Sequence, residues 1–511
     1  MAPIAASLAK VGGNTLISRI LGFVRDLVVA RIFGADAATD AFFVAFRIPN
    51  LMRRLFAEGA FSLAFVPVLS EYRAKRAPAE LRRFLDDTAG TLGLALLLIT
   101  VLGILGAPLL VLAFAPGFAD DPGQRVLAAD MLRLTFPYVL FISLTALAGG
   151  ILNTFGRFGV PAFTPVLLNL VLIACALWLA PHMERPIVAL AWGVLIAGVV
   201  QLAFQVPFLA RLGLLPRPRF NPRDPGVRRM LGLIGPSLLG VSVAQINMLL
   251  STLLASFLAA GSISWLYYAD RLMEFPLGVL GVAMGTVMLP KLSREHVGQS
   301  SEAFSRTLDW ALRWVLLLGL PAALGLALLA GPLFVTLFYS DAFGITDVHM
   351  AGQALTAYGF GVLGFLGVMV LAPGYYARQQ TRAPVRIALV SMLVNLILSL
   401  ALMWPLGHAG LALATTLAAL VNAGLLLRGL RLDGVYRPRP GWRRLLAQGF
   451  GAGLVMALLL TWACPPTEAW LALGHGTRAL ELLTWIGLGA LAYGVSLLAL
   501  GLRPRDLMPS V

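Results

Sequence analysis

Four arginines stand where the surrounding sequence is apolar. Arg19 and Arg25 lie in SRILGFVRDLVVARIFGA (18–35), Arg53 follows shortly after Pro49, and Arg271 lies in LYYADRLMEFP (266–276). A guanidinium presents a planar fork of N–H donors that matches phosphate oxygens two at a time. Several forks converging from different helices make a site for phosphate or pyrophosphate. A carrier of cations would place carboxylates at its centre instead. Acids accompany the arginines here, among them Asp26, Asp40 and Glu274, but basic residues outnumber acids in the first two apolar segments.

The local spacing carries further expectations. Arg19 and Asp26 are seven apart, hence about 20° apart around a helix of 3.6 residues per turn. Asp26 is therefore expected to balance Arg19, with Arg25 about 120° away from that face. Gly22 between them is expected to let the helix bend. Pro49 is expected to kink or break the second segment just before Arg53. Blander readings stand beside these: Arg31 and Arg54 can snorkel or pair near a helix end, and Arg271 can close a local ion pair with Asp270 or Glu274. No other chemistry announces itself. The five histidines are scattered singly, and Cys175 and Cys464 make no disulfide framework, so neither a catalytic group nor a metal site is expected.

The elements that hold these charges are membrane spans. Of 511 residues, 59% are hydrophobic and only 12% charged, with a mean hydropathy of +0.86. A soluble domain carries about 25% charged residues. Apolar runs of the length a bilayer core requires recur along the chain, without the alternation of barrel strands. The class is an all-α polytopic membrane protein. Twelve runs are clear, and the segments 8–33 and 38–69 are apolar but interrupted by charge, giving fourteen transmembrane helices. A charged side chain at the bilayer centre costs roughly 3 kcal/mol, so Arg19, Arg25, Asp26, Arg53 and Arg271 together represent on the order of 10 kcal/mol. Such groups face a bundle interior or a wet cavity.

With fourteen spans, 26 of the 39 basic residues fall on the side of the termini and 3 on the other. Positive charge marks the cytoplasmic side, so both termini are expected there. The same distribution accounts for the net charge of +15 through topology and contact with lipid headgroups, not nucleic acid. No cleavable secretory signal is visible, and the first helix is expected to direct insertion.

The chain also repeats. VPVLSEYRA (66–74) answers LPKLSREHV (289–297), Arg47 falls near Arg271, and Asn169 falls over Asn395, all at offsets of 223–226 residues. Six spans repeat as six with the same orientation, a parallel pseudo-two-fold repeat with spans 13 and 14 appended. The expected domains are an N-terminal lobe at 1–220 (spans 1–6), a C-terminal lobe at 221–436 (spans 7–12) and an appended pair at 437–511. Duplicated bundles of this kind are a transporter architecture with the substrate site between the halves.

Residues 18–72 and 240–293, and more briefly LAPGYYARQQTRAPVRIA (371–388) and HAGLALA (408–414), resemble the MurJ (MviN) family of lipid II flippases in the MOP exporter superfamily. The resemblance implies a transporter of the bacterial cytoplasmic (inner) membrane, not an enzyme. Its cargo would be lipid II, the undecaprenyl-pyrophosphate-linked muropeptide precursor of peptidoglycan, flipped to the periplasmic leaflet by alternating access. It implies that Arg19, Arg25, Arg53 and Arg271 bind the substrate and that Ser18, Asp26, Asp40 and Glu274 support or gate the site. Spans 13 and 14 would form a groove for the lipid tail. Membrane lipids and cell-wall synthesis proteins are the expected partners, nucleic acid is not, and no cofactor is expected. Some members hold sodium with acids in span 7. Here that span carries Ser242, Gln245 and Asn247 and no acid, so the membrane potential is the expected driving force. Two other transporters fit the arginines less specifically: a flippase for another undecaprenyl-linked glycan, and a cation-coupled drug antiporter. A membrane scaffold for cell-wall enzymes would not need them.

Overall fold

The computed structural model describes residues 2–54, 61–298 and 300–503. Among the described residues there is no strand, and the chain divides into two compact units, Met1–Gly261 and Ser262–Val511.

The first unit contains α1 (Ala2–Phe33), α2 (Ala37–Arg53), α3 (Phe61–Lys75), α4 (Pro78–Leu105), α5 (Ala107–Phe114), α6 (Pro122–Thr135), α7 (Tyr138–Thr154), α8 (Gly159–Ala174), α9 (Val188–Arg211) and α10 (Pro225–Ala255). Within it α1 packs on α8, α2 on α6, α7 on α9 and α10 on α3. The second unit contains α11 (Ser262–Pro276), α12 (Val282–Val297), α13 (Ser301–Leu328), α14 (Ala330–Leu337), α15 (Ile345–Gly359), α16 (Val362–Tyr376), α17 (Arg382–Leu432), α18 (Trp442–Ala463), α19 (Thr467–Leu471) and α20 (His475–Ala499). There α16 packs on α17, α11 on α15, and α18 on both α13 and α20.

Apolar surface gives no driving force between helices in lipid, so close packing must come from small residues. Gly364 supplies such a contact: a Cβ there would lie 2.8 Å from the backbone of Leu420, so α16 and α17 touch backbone to backbone. Helix starts are built by short acceptor side chains. Asp36 accepts the Thr39 N–H at 2.8 Å to cap α2, and Asp224 accepts the N–H groups of Gly226 and Val227 to cap α10.

Among the described residues, eight helices are long and apolar enough to cross a membrane, or nine if α15 and α16, bent by 42°, count as one span. Outside that set stand α1, whose apolar run carries Arg19, Arg25, Asp26 and Arg31, and α2 and α11, at 17 and 15 residues. One of the eight is itself two. A straight helix of the 51 residues of α17 would be about 76 Å long, far beyond the roughly 30 Å of a hydrocarbon core. Gly407, at φ 57 and ψ −137, breaks it. The Ser391 hydroxyl then donates to the carbonyl of Ala418 at 2.7 Å, 27 residues away. The chain therefore doubles back as a hairpin of two helices.

Neither Gly22 nor Pro49 breaks its helix. α1 runs unbroken through Gly22, which instead sits opposite the Asn169 side chain, a Cβ there falling 3.7 Å from its nitrogen. α2 runs through Pro49 to Arg53. Proline leaves the carbonyl four residues back without its N–H, and here that carbonyl, of Ala45, accepts the Thr135 hydroxyl of α6 at 3.0 Å. The lost bond is replaced from a neighbouring helix, so nothing forces a break.

The connections that follow α9 and α17 both contain Arg-Pro-Arg, at 217–219 and 437–439. Each is tied to the foot of a helix in its own unit. The Arg217 N–H donates to Asp86 Oδ1 at 2.7 Å, and the Asn221 side chain donates to Asp87 at 2.8 Å, both acids on α4. In the second unit the buried Asp309 of α13 accepts from Tyr436 at 2.9 Å, Trp442 Nε1 at 2.7 Å, the Arg439 N–H at 3.2 Å and Arg313 at 2.7 Å. After each strap the next helix packs back on the unit it left, α10 on α3 and α4, α18 on α13. The boundary between compact units therefore falls after α10 at Gly261, while the sequence repeat turns over near residue 220.

Candidate functional site

In the first unit the site is built where α1 meets α8. Arg25 and Asp26 are adjacent on α1, and the Arg25 guanidinium folds back over its neighbour. Its Nε and Nη2 donate to Asp26 Oδ1 at 2.9 and 2.6 Å. Its Nη1 donates to Asn169 Oδ1 at 3.0 Å, and Asn169 Nδ2 donates to the carbonyl of Ser18 at 3.1 Å. The side chains of Arg25 and Asp26 are 9% and 3% exposed. The guanidinium is thus buried, charged, and fixed from two helices.

The expectation that Asp26 balances Arg19 is not met. Seven residues also advance about 10.5 Å along a helix, which puts Arg19 out of reach, whereas Arg25 is next in sequence. Arg19 is exposed on α1.

α2 brings further arginines. Arg53, half-buried in its last turn, donates from Nε to Asn50 Oδ1 at 3.0 Å. Arg47 hydrogen-bonds the Thr252 hydroxyl, and Arg54 lies 3.8 Å from Met248 Sδ, both partners on α10. Asp40, buried at the other end of α2, accepts the N–H of Gly261 at 2.8 Å. It anchors the turn that follows α10.

In the second unit Arg271 donates to Glu274 at 2.7 Å and to the Tyr267 hydroxyl at 3.3 Å, and its guanidinium lies 5.3 Å above the Tyr267 ring. The local pair anticipated from sequence is therefore present, with Glu274 as the partner. At 31% exposure for Arg271 and 49% for Glu274, such a pair holds its arginine only weakly.

Each unit therefore offers guanidinium groups in defined surroundings. Sequence reasoning missed Asn169 as a ligand of Arg25; its place in the internal repeat was the only signal. It missed Asp309 entirely. Among the described residues no group of three or more His, Cys, Asp or Glu side chains is placed to hold a metal ion. Ser242, considered with sodium, lies outside the residues whose side chains are described.

Comparisons with known proteins point to one family. The family model "Lipid II flippase MurJ" matches residues 29–475. A probable lipid II flippase MurJ of Vibrio cholerae is 48% identical over 504 residues, covering 97% of this chain and 96% of the relative. The lipid II flippase MurJ of Burkholderia cenocepacia is 46% identical over 460 residues, covering 89% of each. Among solved structures, a lipid II flippase MurJ in an inward closed conformation superposes with a TM-score of 0.79 at 26% identity, covering 95% of this chain and 97% of that one. An inward-facing multidrug resistance MATE transporter of the MOP superfamily superposes with a TM-score of 0.66 at 15% identity, covering 82% and 95%, and shares the fold.

Proposed function

Because the chain belongs to the lipid II flippase MurJ family, and is a multi-pass inner-membrane transporter and not an enzyme, we propose that Arg19, Arg25, Arg53 and Arg271 bind the pyrophosphate of lipid II during the flip. Ser18, Asp26, Asp40 and Glu274 support or gate that binding. The observation that carries this reading is the buried Arg25, held at 2.6–3.0 Å by Asp26 and Asn169. A guanidinium held this way loses little freedom when an anion arrives, so more of the contact appears as binding. Burial also strengthens the charge interaction relative to water.

The headgroup enters from the cytoplasmic side, its tail remaining in lipid. The arginines neutralise the diphosphate, which could not cross the hydrocarbon core alone. Alternating access then exposes it to the periplasm, where water and counterions compete for the phosphates and release it. No covalent bond is made or broken. Net positive charge at the site couples the cycle to the membrane potential at about 2.3 kcal/mol per charge per 100 mV.

Both termini lie in the cytoplasm in this reading. The arginine-rich straps support that orientation.

The test is complementation. In a bacterium depleted of its own lipid II flippase, the chain should restore growth. Arg25→Ala should abolish rescue while the protein still inserts at normal abundance. Full rescue by a chain lacking Arg19, Arg25 and Arg271 together would overturn the arginine site.

A further inference from the structure

We infer that Asn169 is a positioning residue for Arg25: it sets where the guanidinium points and so tunes discrimination between lipid diphosphate and lipid monophosphate. The inference rests on the reading of Arg25 as a diphosphate ligand.

Asn169 sits on α8, 5% exposed. Its two amide ends are committed in opposite senses. Nδ2 donates to the Ser18 carbonyl at 3.1 Å, and Oδ1 accepts from Arg25 Nη1 at 3.0 Å. A flipped amide would set its NH2 against the guanidinium donors and its oxygen against a carbonyl, so one orientation is fixed. Ser18 and Arg25 are seven apart, about two turns of α1. The single side chain therefore spans two turns of one helix from another, which locks α1 to α8 as well as aiming Arg25. Asp26 alone could not do this. Being adjacent to Arg25, it draws the guanidinium back along its own helix, through Nε and Nη2. Asn169 restrains the remaining nitrogen, Nη1, and so fixes the plane of the fork. The fork takes two phosphate oxygens in one plane; a diphosphate also held by other arginines cannot turn to follow a displaced fork, whereas a single phosphate can.

A side chain needed only for packing predicts the same loss for every lipid. A positioning residue predicts a loss that passes through Arg25. The experiment measures binding of lipid II and of undecaprenyl monophosphate to the purified full chain in nanodiscs, by native mass spectrometry. The proteins are wild type, Asn169→Ala, Arg25→Ala and the double variant, with thermal melting to follow the fold. Asn169→Ala should weaken lipid II binding about 10-fold, the lower end of what a hydrogen bond to a charged group contributes. Monophosphate binding should weaken less than 3-fold. In the Arg25→Ala background the Asn169 substitution should cost less than 2-fold more, because interacting residues are non-additive. Should Asn169→Ala not fold, Asn169→Gln keeps the amide while displacing it by one methylene, and its loss should show the same dependence on Arg25.

An equal loss for both lipids, or a loss of the same size with and without Arg25, overturns the positioning role and leaves the Arg25 reading intact. Unchanged lipid II binding in Arg25→Ala overturns the Arg25 reading, and this inference with it.

Discussion

Asp309 shows how much one buried carboxylate can organise. It gathers a phenol, an indole, a backbone amide and a guanidinium. Replacing it with alanine leaves Arg313 without its buried partner, and breaking such a pair costs roughly 3 kcal/mol. Asp309→Ala should therefore lower the melting midpoint in detergent by several degrees. Tyr436 adds a pH signature. Burial first, and then the Asp309 carboxylate, raise its hydroxyl above the ordinary value of 10. The folded chain holds that proton more tightly than the unfolded one. Its contribution is complete below about pH 10 and is lost as pH rises above that. Melting midpoints should fall faster between pH 10 and 11.5 in the wild type than in Tyr436→Phe, and parallel falls would remove Tyr436 as the cause. At this scale the sequence was uneven. Arg25 was legible because a charge in an apolar run is costly and has to be explained. The partner of Asp26 was misread because an angle around a helix ignores the rise along it. Asp309 looked like any acid at the edge of a span, and only the folded strap shows that it is buried.

Among elements, Gly407 matters most in the second unit. Its φ of 57 and ψ of −137 are closed to side-chain residues without strain, yet a Cβ there would meet no atom within 4 Å. The penalty for Gly407→Ala is then purely conformational, about 1–3 kcal/mol. It should appear as a lower melting midpoint with no change in helix content by circular dichroism. An unchanged midpoint would mean the hairpin turn adapts. The helices themselves were readable as apolar runs, because length and hydropathy are properties of single segments. The behaviour at Gly22 and Pro49 was not. Whether glycine bends a helix or admits a neighbour, and whether a proline breaks one, depends on what packs alongside. Asn169 packs beside the first and the Thr135 hydroxyl bonds beside the second, and both arrive from helices far away in sequence.

For the whole molecule, the all-helical transporter fold and its family could be read from composition, repeat and motifs together. The compact units divide the chain at Gly261, a different place from the turnover of the repeat near residue 220. Similarity of sequence marks where a copy begins, whereas compactness marks where the chain stops returning to earlier helices. The straps make these differ, because α10 and α18 fold back on what precedes them. The orientation makes a prediction for the intact cell. In a chain with Cys175 and Cys464 replaced by serine, cysteines placed singly at Asp121 or Glu184 should react with a membrane-impermeant maleimide added outside, once the outer membrane is permeabilised. Cysteines at Glu80 or Glu302 should react only after lysis. Labelling of Glu80→Cys in unlysed cells would reverse the topology.

The α17 hairpin also bears on how the chain is made. Its two limbs meet at Trp404-Pro405-Leu406-Gly407-His408, with no hydrophilic loop between them. A ribosome feeding this chain into the membrane therefore has no polar segment to pass across at that point. The first limb has no independent stopping place on the far side. The two limbs must enter the bilayer as a pair, and synthesis halted between them would leave a helix without the neighbour that accepts its Ser391 hydrogen bond.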